Sequence, residues 1–123
     1  MEITINNVIG LNKVLNLFIN KELPIKTAFK LNRLLLEIEK ELILAEKLRV
    51  NLFKRYAETD KADGQEKIPS EKEASYMQEF NEILDTKINI NFEPISLEEL
   101  GNIEEMKLSI VEMRFLNLIL QNV

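Results

Sequence analysis

Residues 24–58 read PIKTAFKLNRLLLEIEKELILAEKLRVNLFKRYAE, and the rest of the chain is arranged along this stretch. Its apolar residues recur with the spacing of a helix, and Pro24 suits a first helical turn because its missing N–H costs nothing there. The pattern predicts one helix of about 35 residues. Two separate apolar stripes run along it, so the helix is expected to pack on two sides.

The first stripe follows the i, i+3, i+4, i+7 spacing of a helix with one buried side. Leu34 and Leu48 widen the same face. We expect this stripe to contact the core of the chain's own fold. Its members are Leu31, Leu35, Ile38, Leu42, Ala45, Leu52 and Tyr56.

The second stripe consists of Phe29, Leu36, Ile43 and Val50, at seven-residue intervals and roughly 140° round the helix from the first. Either elements of the same chain cover it, or it is an interface with a partner or a second copy. The strict repeat favours supercoiled packing against another long helix. One flank holds Asn32, Glu39 and Glu46. The other flank holds a basic row, also at sevens: Lys26, Arg33, Lys40, Lys47 and Lys54.

Arg49 interrupts the first stripe, among Leu42, Ala45, Leu52 and Tyr56. An unpaired charge in such a seam would be costly. The sequence therefore predicts either a partner carboxylate from the second half of the chain or a guanidinium that reaches the edge of the seam. A site for an anion or a nucleotide phosphate is the alternative.

The remaining elements follow from period-2 and period-3.6 patterns and from capping residues. Asn6 or Asn7 is expected to cap the first helix, and S-x-x-E patterns at Ser70, Ser96 and Ser109 mark later starts. A third strand is possible over 102–108. The predicted elements are a strand at 2–5, a helix at 7–20, the long helix at 24–58, a loop or hairpin at 59–69, a helix at 71–85, a strand at 87–93, a short turn at 97–100 and a helix at 110–121.

Together these elements predict a single domain over 1–123 of the α+β class, mostly helical. One long central helix is accompanied by two or three further helices and a small antiparallel sheet of two or three strands. The strand at 87–93 should pair with the opening strand, because both alternate in the same way. The final helix is apolar on most sides, so it should either fill the core beside the long helix or serve as an element at an oligomer interface.

The composition excludes several kinds of chemistry. The chain has no cysteine and no histidine, which removes disulfides, thiolate metal sites, cysteine nucleophiles and any Ser-His-Asp triad. Its three glycines form no phosphate-binding loop. Acidic pairs are abundant, and solvated surface charge explains them. We therefore expect no enzyme activity, no metal and no cofactor.

Charge divides the chain into two halves. Residues 1–57 hold ten basic and six acidic residues, a net charge of +4, whereas residues 58–123 hold six basic and fifteen acidic residues, a net charge of −9. The acidic half could cover the basic row of its own long helix, or the halves could meet between copies. Nucleic-acid binding is disfavoured by the overall charge of −5. No apolar run is long enough for a membrane span, and no signal peptide opens the chain, so the cytoplasm is the expected compartment.

The order of features resembles a family. It is carried by ELPIKTAFKL at 22–31, the polar turn around Asp63-Gly64, FNEILDT at 80–86 and PISLEEL at 94–100, followed by the apolar end of the chain. In these features the chain is similar to small uncharacterised proteins of tailed phages and prophages of AT-rich Gram-positive bacteria. The resemblance implies a viral context and action in the host cytoplasm, but it supplies no catalytic residue.

These observations lead to the expectation of a non-catalytic, phage-encoded protein that works by protein–protein interaction as a homo-oligomer. It would inhibit a host defence factor or sequester a ligand. The alternative is an accessory of virion or tail assembly, or a minor structural protein. The expected partners are the chain itself, a host protein or a phage protein.

Overall fold

The first helix of the chain begins where Thr4 caps it. The Thr4 hydroxyl accepts a hydrogen bond from the Asn7 N–H at 3.2 Å, so the helix starts at Ile5 and not at residue 7, and neither Asn6 nor Asn7 is the cap. A 3-10 turn at Asn16–Phe18 then replaces the expected α-helical continuation to residue 20.

The computed structural model describes residues 1–101 and 105–120. The fold over these residues is α+β and mostly helical, as predicted. The elements in chain order are β1 (Glu2–Thr4), α1 (Ile5–Leu15), α2 (Ile25–Tyr56), β2 (Glu58–Thr59), β3 (Glu66–Lys67), α3 (Glu73–Leu84), β4 (Lys87–Asn89) and α4 (Ile110–Leu116). The strands form two antiparallel pairs, β1 with β4 and β2 with β3.

Helix α1 lies at the centre of the core, between α2 on one side and α4 on the other. Val8, Leu11, Val14 and Leu15 are almost completely buried. Together with Ile5 and Gly10, which are also buried, these residues span roughly 220° of the helix circumference, so α1 must be enclosed by other elements. The core is thus built around α1, and the long helix forms one wall of it.

Helix α2 packs against different elements along its two halves. In the first half, Leu31, Leu34 and Ile38 are buried in the core that contains α1. The second half packs against α3, where Leu52 is buried. Aromatic rings line this second contact, with centroid distances of 6.0–6.5 Å among Phe53, Tyr56, Tyr76 and Phe80. The first stripe therefore faces the chain's own fold near both ends, with two different neighbours. Leu48, which was expected to widen this face, is 51% exposed, and Leu42 and Ala45 are half-buried.

The predicted pairing of the opening strand is confirmed. Strands β1 and β4 are antiparallel, with Ile3 opposite Ile88. β4 ends at Asn89 instead of residue 93, although the Ile90 N–H still donates to the Met1 carbonyl at 2.9 Å. Beyond it the chain turns inward, and Ile90 and Ile95 are fully buried.

The C-terminal segment fills the core, but its main neighbour is α1 and not the long helix. Ser109 and Glu112 form the predicted capping box. Helix α4 ends at Leu116, not at residue 121, because the next turn is irregular and the Ile119 carbonyl accepts a hydrogen bond from the Ile95 N–H at 3.0 Å. Residues 121–123 lie outside the described part.

The segment between α2 and α3 is the predicted hairpin, with Gly64 at a φ of 72°, a conformation that favours glycine. The capping box expected at Ser70 is absent, because residues Ser70–Lys72 form a 3-10 turn and α3 begins at Glu73 without a side-chain cap. A third strand was possible over 102–108; residues 105–108 form no strand, and residues 102–104 lie outside the described part. Helix α2 itself runs from Ile25 to Tyr56, within the predicted 24–58.

Gly10 of α1 lies directly under the ring of Phe115 of α4, and a β-carbon at Gly10 would overlap that ring. We expect Gly10→Ala to lower the free energy of unfolding by about 1 kcal/mol, because overpacking outweighs the gain in helix propensity. In a Phe115→Leu background the same change should be neutral or stabilising, since the shorter side chain leaves room. Urea denaturation of the four proteins measures this coupling, and an equal effect of Gly10→Ala in both backgrounds would contradict the contact.

Candidate functional site

Three members of the second stripe lie on the outer face of α2 and are exposed. The relative accessibilities are 61% for Phe29, 52% for Leu36 and 53% for Ile43, while Val50 is half-buried. The possibility that the chain's own elements cover this stripe is therefore excluded for these three residues within the described part of the structure. At 1.5 Å per residue, the stripe is about 31 Å long.

The acidic half of the chain covers little of the basic row beside this stripe. Arg33 reaches Glu93 only at 4.0 Å, and Lys40 lies 3.8 Å from Glu37 of its own helix. Lys26, Lys47 and Lys54 form no ion pair within 4.0 Å among the residues that the structure describes. The prediction that the acidic half neutralises the row is thus met only weakly, at Arg33.

Contacts between the two halves of the chain occur elsewhere. Lys30 binds Glu99 with an Nζ–Oε2 distance of 3.1 Å, about 100° round α2 from Phe29 of the second stripe. Glu99 also accepts a hydrogen bond from the hydroxyl of the buried Thr27 at 3.4 Å. The hydrogen bond from Lys30 holds the pKa of Glu99 below its usual range, and Ser96 adds to the effect.

Arg49 is paired within its own helix. Its guanidinium donates two hydrogen bonds to the Glu46 carboxylate, from Nε at 2.9 Å and from Nη2 at 2.6 Å. This pair lowers the pKa of Glu46 and raises the pKa of Arg49, chiefly through the hydrogen bonds. The prediction of a partner from the acidic half is wrong, because Glu46 lies one turn away on α2. Both side chains are substantially exposed, so the pair lies at the edge of the seam.

A groove of about 800 Å³ runs between α1, α2 and α3, next to the second stripe. Ile43 belongs to both, and the Arg49–Glu46 pair lies at the groove's rim. The remaining lining is mainly apolar and comes from three helices: Ile5, Ile9, Asn12, Asn16 and Ile19 from α1 and the turn after it, Leu35, Glu39, Leu42, Ala45 and Lys47 from α2, and Phe80, Ile83 and Leu84 from α3.

The groove has no counterpart in the sequence patterns. Asn12 and Asn16 line it beside apolar residues, and Ile19, which also lines it, is exposed. A groove between helices depends on how far apart they pack, which periodicity does not encode. The one available signal was the presence of Ile5, Ile9 and Ile19 outside the main buried stripe of α1.

The aromatic contact between α2 and α3 carries a polar bond at its edge. The Tyr56 hydroxyl donates to the Glu79 carboxylate, and Arg55 lies 3.3 Å from the same residue. The hydrogen bond raises the pKa of Tyr56 and lowers the pKa of Glu79. These groups hold the two helices together, and their ion pairs are already satisfied within the chain.

This face of the molecule presents exposed apolar side chains next to charged side chains. Within residues 1–101 and 105–120, no group of three or more acidic side chains is placed to hold a metal ion. The same residues include no helix that is both long and apolar enough to cross a membrane. The second stripe, the basic row and the groove are surfaces on which another molecule can bind.

Comparisons with protein-family models, with curated proteins and with solved structures found no match. The function must therefore be inferred from the residues and their geometry.

We expect Glu99→Gln to lower the melting temperature at pH 7, because it removes the charge that binds Lys30. The folded-state pKa of Glu99 is depressed, so its contribution is present above the unfolded-state pKa and is lost as the pH falls through the folded-state value. The difference from the wild type should therefore shrink as the pH falls below the unfolded-state pKa and vanish once Glu99 is protonated in the folded protein. Thermal unfolding from neutral to acidic pH checks this, with the exposed neighbour Glu98→Gln as control. A constant difference across the range would contradict it.

Proposed function

We propose that this protein acts without catalysis, by binding another protein through the outer face of α2. The observation that supports this most strongly is the exposure of Phe29, Leu36 and Ile43 on one face, at regular spacing, while Leu31, Ile38 and Leu52 of the other stripe are buried. Exposed apolar residues aligned at a seven-residue spacing along one helix are typical of helix-binding surfaces, whereas single exposed apolar residues need no explanation.

Burial of these side chains would contribute to binding in the usual way. Complete burial of a Leu, Ile or Phe side chain is worth about 1.5–3 kcal/mol, and roughly half of each of these three is still accessible. The stripe lies on a helix that is already formed, because α2 is held on its other side by α1 and α3. A preformed surface loses little conformational entropy on binding, which favours affinity.

The proposal includes several kinds of partner. Self-association, a host defence factor and a sequestered ligand all use the same kind of surface, and so does a role in virion or tail assembly. The viral setting and the host cytoplasm follow from the resemblance of the sequence alone. Light scattering in solution is the direct measurement for a homo-oligomer, whose mass would exceed 14.4 kDa.

The proposal predicts opposite effects on the two faces of α2. The double variant Leu36→Asp with Ile43→Asp should remain folded, because both side chains are exposed, and it should reduce any oligomer of the wild type to the 14.4 kDa monomer. Ile38→Asp, on the buried face of the same helix, should unfold the protein, since it places a charge in the core. Far-UV circular dichroism and light scattering from micromolar to millimolar concentration check both.

The matched control is Met77→Asp. Met77 is 48% exposed but lies on α3 and not on the outer face of α2, so its substitution should not change the mass. Unfolding of the double variant would assign the second stripe to the core. An oligomer that survives the double variant would show that association uses another surface, and either result would refute the proposal.

A further inference from the structure

The second stripe is bordered along one side by positive charge that the chain leaves available. All five residues of the basic row are exposed, and three of them, Lys26, Lys47 and Lys54, form no ion pair among the described residues. This row spans 29 residues, about 42 Å of helix, in a protein whose net charge is −5. A regular row of positive charge on an acidic protein is a local feature that selects a partner.

From this arrangement we propose that the outer face of α2 binds an amphipathic helix of another protein, whose apolar stripe is bordered by a row of carboxylates. The inference rests on the proposed function and names the chemistry of its partner. Both series on α2 repeat every seven residues, so a partner helix with the same repeat stays in register with the stripe and the basic row. Three or four heptads of that helix would match the length of the stripe.

The opposite flank adds a second requirement. Glu39 and Glu46 lie beside the stripe on that side, and Glu46 is already paired with Arg49. A partner helix with carboxylates on both sides would therefore meet repulsion along one of them. The geometry favours a helix whose apolar stripe has acidic residues on one side and neutral or basic residues on the other.

A second copy of α2 fits this face only in a parallel arrangement. In an antiparallel pair of helices, equivalent flanks meet, so each basic row would lie against the other. In a parallel pair, opposite flanks meet, so Glu39 and Glu46 would face the basic row of the other copy. A wild-type mass of twice 14.4 kDa in light scattering, lost in the variant Lys40→Glu with Lys47→Glu, would identify that copy as the occupant and overturn the inference. The acidic half of a second copy does not fit, because its exposed apolar residues among the described ones lie on three separate segments: Met77, Leu97, and Ile110 with Val111.

Anionic surfaces of other kinds also fit poorly. A membrane of anionic lipids or a nucleic acid would attract the basic row, but it would repel Glu39 and the net negative charge of the protein. Neither surface carries a repeat that corresponds to the seven-residue period of this narrow stripe. A helix matches both the period and the charge.

Synthetic peptides test the proposal on the intact protein. The first is a fluorescent peptide of about four heptads with a leucine stripe, glutamate along one flank and glutamine elsewhere; the second has lysine in place of each glutamate. We expect the glutamate peptide to bind at least about tenfold more tightly at low salt, with the difference shrinking as salt screens the charges. Fluorescence anisotropy measures both affinities, and the double variant Leu36→Asp with Ile43→Asp should lose binding.

Charge reversal in the protein provides the specific readout. Lys40→Glu combined with Lys47→Glu should reverse the preference, so that the lysine peptide binds more tightly than the glutamate peptide. Lys61→Glu is the matched control, because Lys61 is an exposed residue of the hairpin between β2 and β3, away from α2's outer face. It should leave the preference for the glutamate peptide unchanged, and circular dichroism should confirm that each variant is folded.

Several outcomes would overturn the inference. These are equal affinity for the two peptides, no binding of either, a preference that Lys61→Glu changes as much as the double reversal does, or tighter binding to phosphatidylserine vesicles or duplex DNA than to the glutamate peptide. If the stripe variants dissociate an oligomer but the peptides do not bind, the proposed function stands and this inference fails. If the stripe variants change neither mass nor peptide binding, both fail.

Discussion

The burial of α1 is the constraint on which the rest of the structure depends. An eleven-residue helix with Val8, Leu11, Val14 and Leu15 buried cannot be stable alone, and its apolar circumference requires neighbours on more than one side. Helix α2 supplies one of them and α4 another, and the contact of Phe115 with Gly10 brings α4 close to the backbone of α1. Strand β1, paired with β4, fixes the entry of the chain into this helix.

The surface of α2 follows from that arrangement. Helix α2 has 32 residues, whereas α1 has 11, so α1 can cover only part of it. Helix α3 covers the remaining part of the first stripe through its aromatic contact, and together the two neighbours occupy one side of the long helix. Because the other side faces solvent, the second stripe and the basic row are exposed together and share a seven-residue repeat. Binding of another helix to this surface is consistent with both its shape and its charge.

The ion pairs between the two halves of the chain lie mostly away from the basic row. Lys30 with Glu99 and Arg55 with Glu79 connect the basic and acidic halves of the chain, and each lies where α2 meets another segment. These contacts use carboxylates of the acidic half, but those carboxylates do not pair with the residues of the basic row. Complementary net charge between halves therefore gives a few specific pairs and does not neutralise the long helix.

Local patterns were sufficient to predict much of the fold. The long helix, the first stripe, the pairing of the opening strand with the strand after α3, the hairpin and the capping box at Ser109 depend on residues close in sequence or on simple alternation, and the structure confirms them. Thr4 was missed as a cap because Asn6 and Asn7 offer equally suitable side chains. Helix α4 was predicted too long, since nothing local shows that Ile119 bonds to Ile95.

The sequence by itself determined that α2 has two apolar stripes and a basic row that repeats every seven residues. It also determined that the chain has no cysteine or histidine chemistry. Only the tertiary structure decided which stripe is exposed, that Arg49 pairs with Glu46 and not with the acidic half, and that a groove lies between α1, α2 and α3. The physical reason is that periodicity defines the faces of a helix, whereas the packing distances and directions of elements far apart in the chain decide which face is exposed.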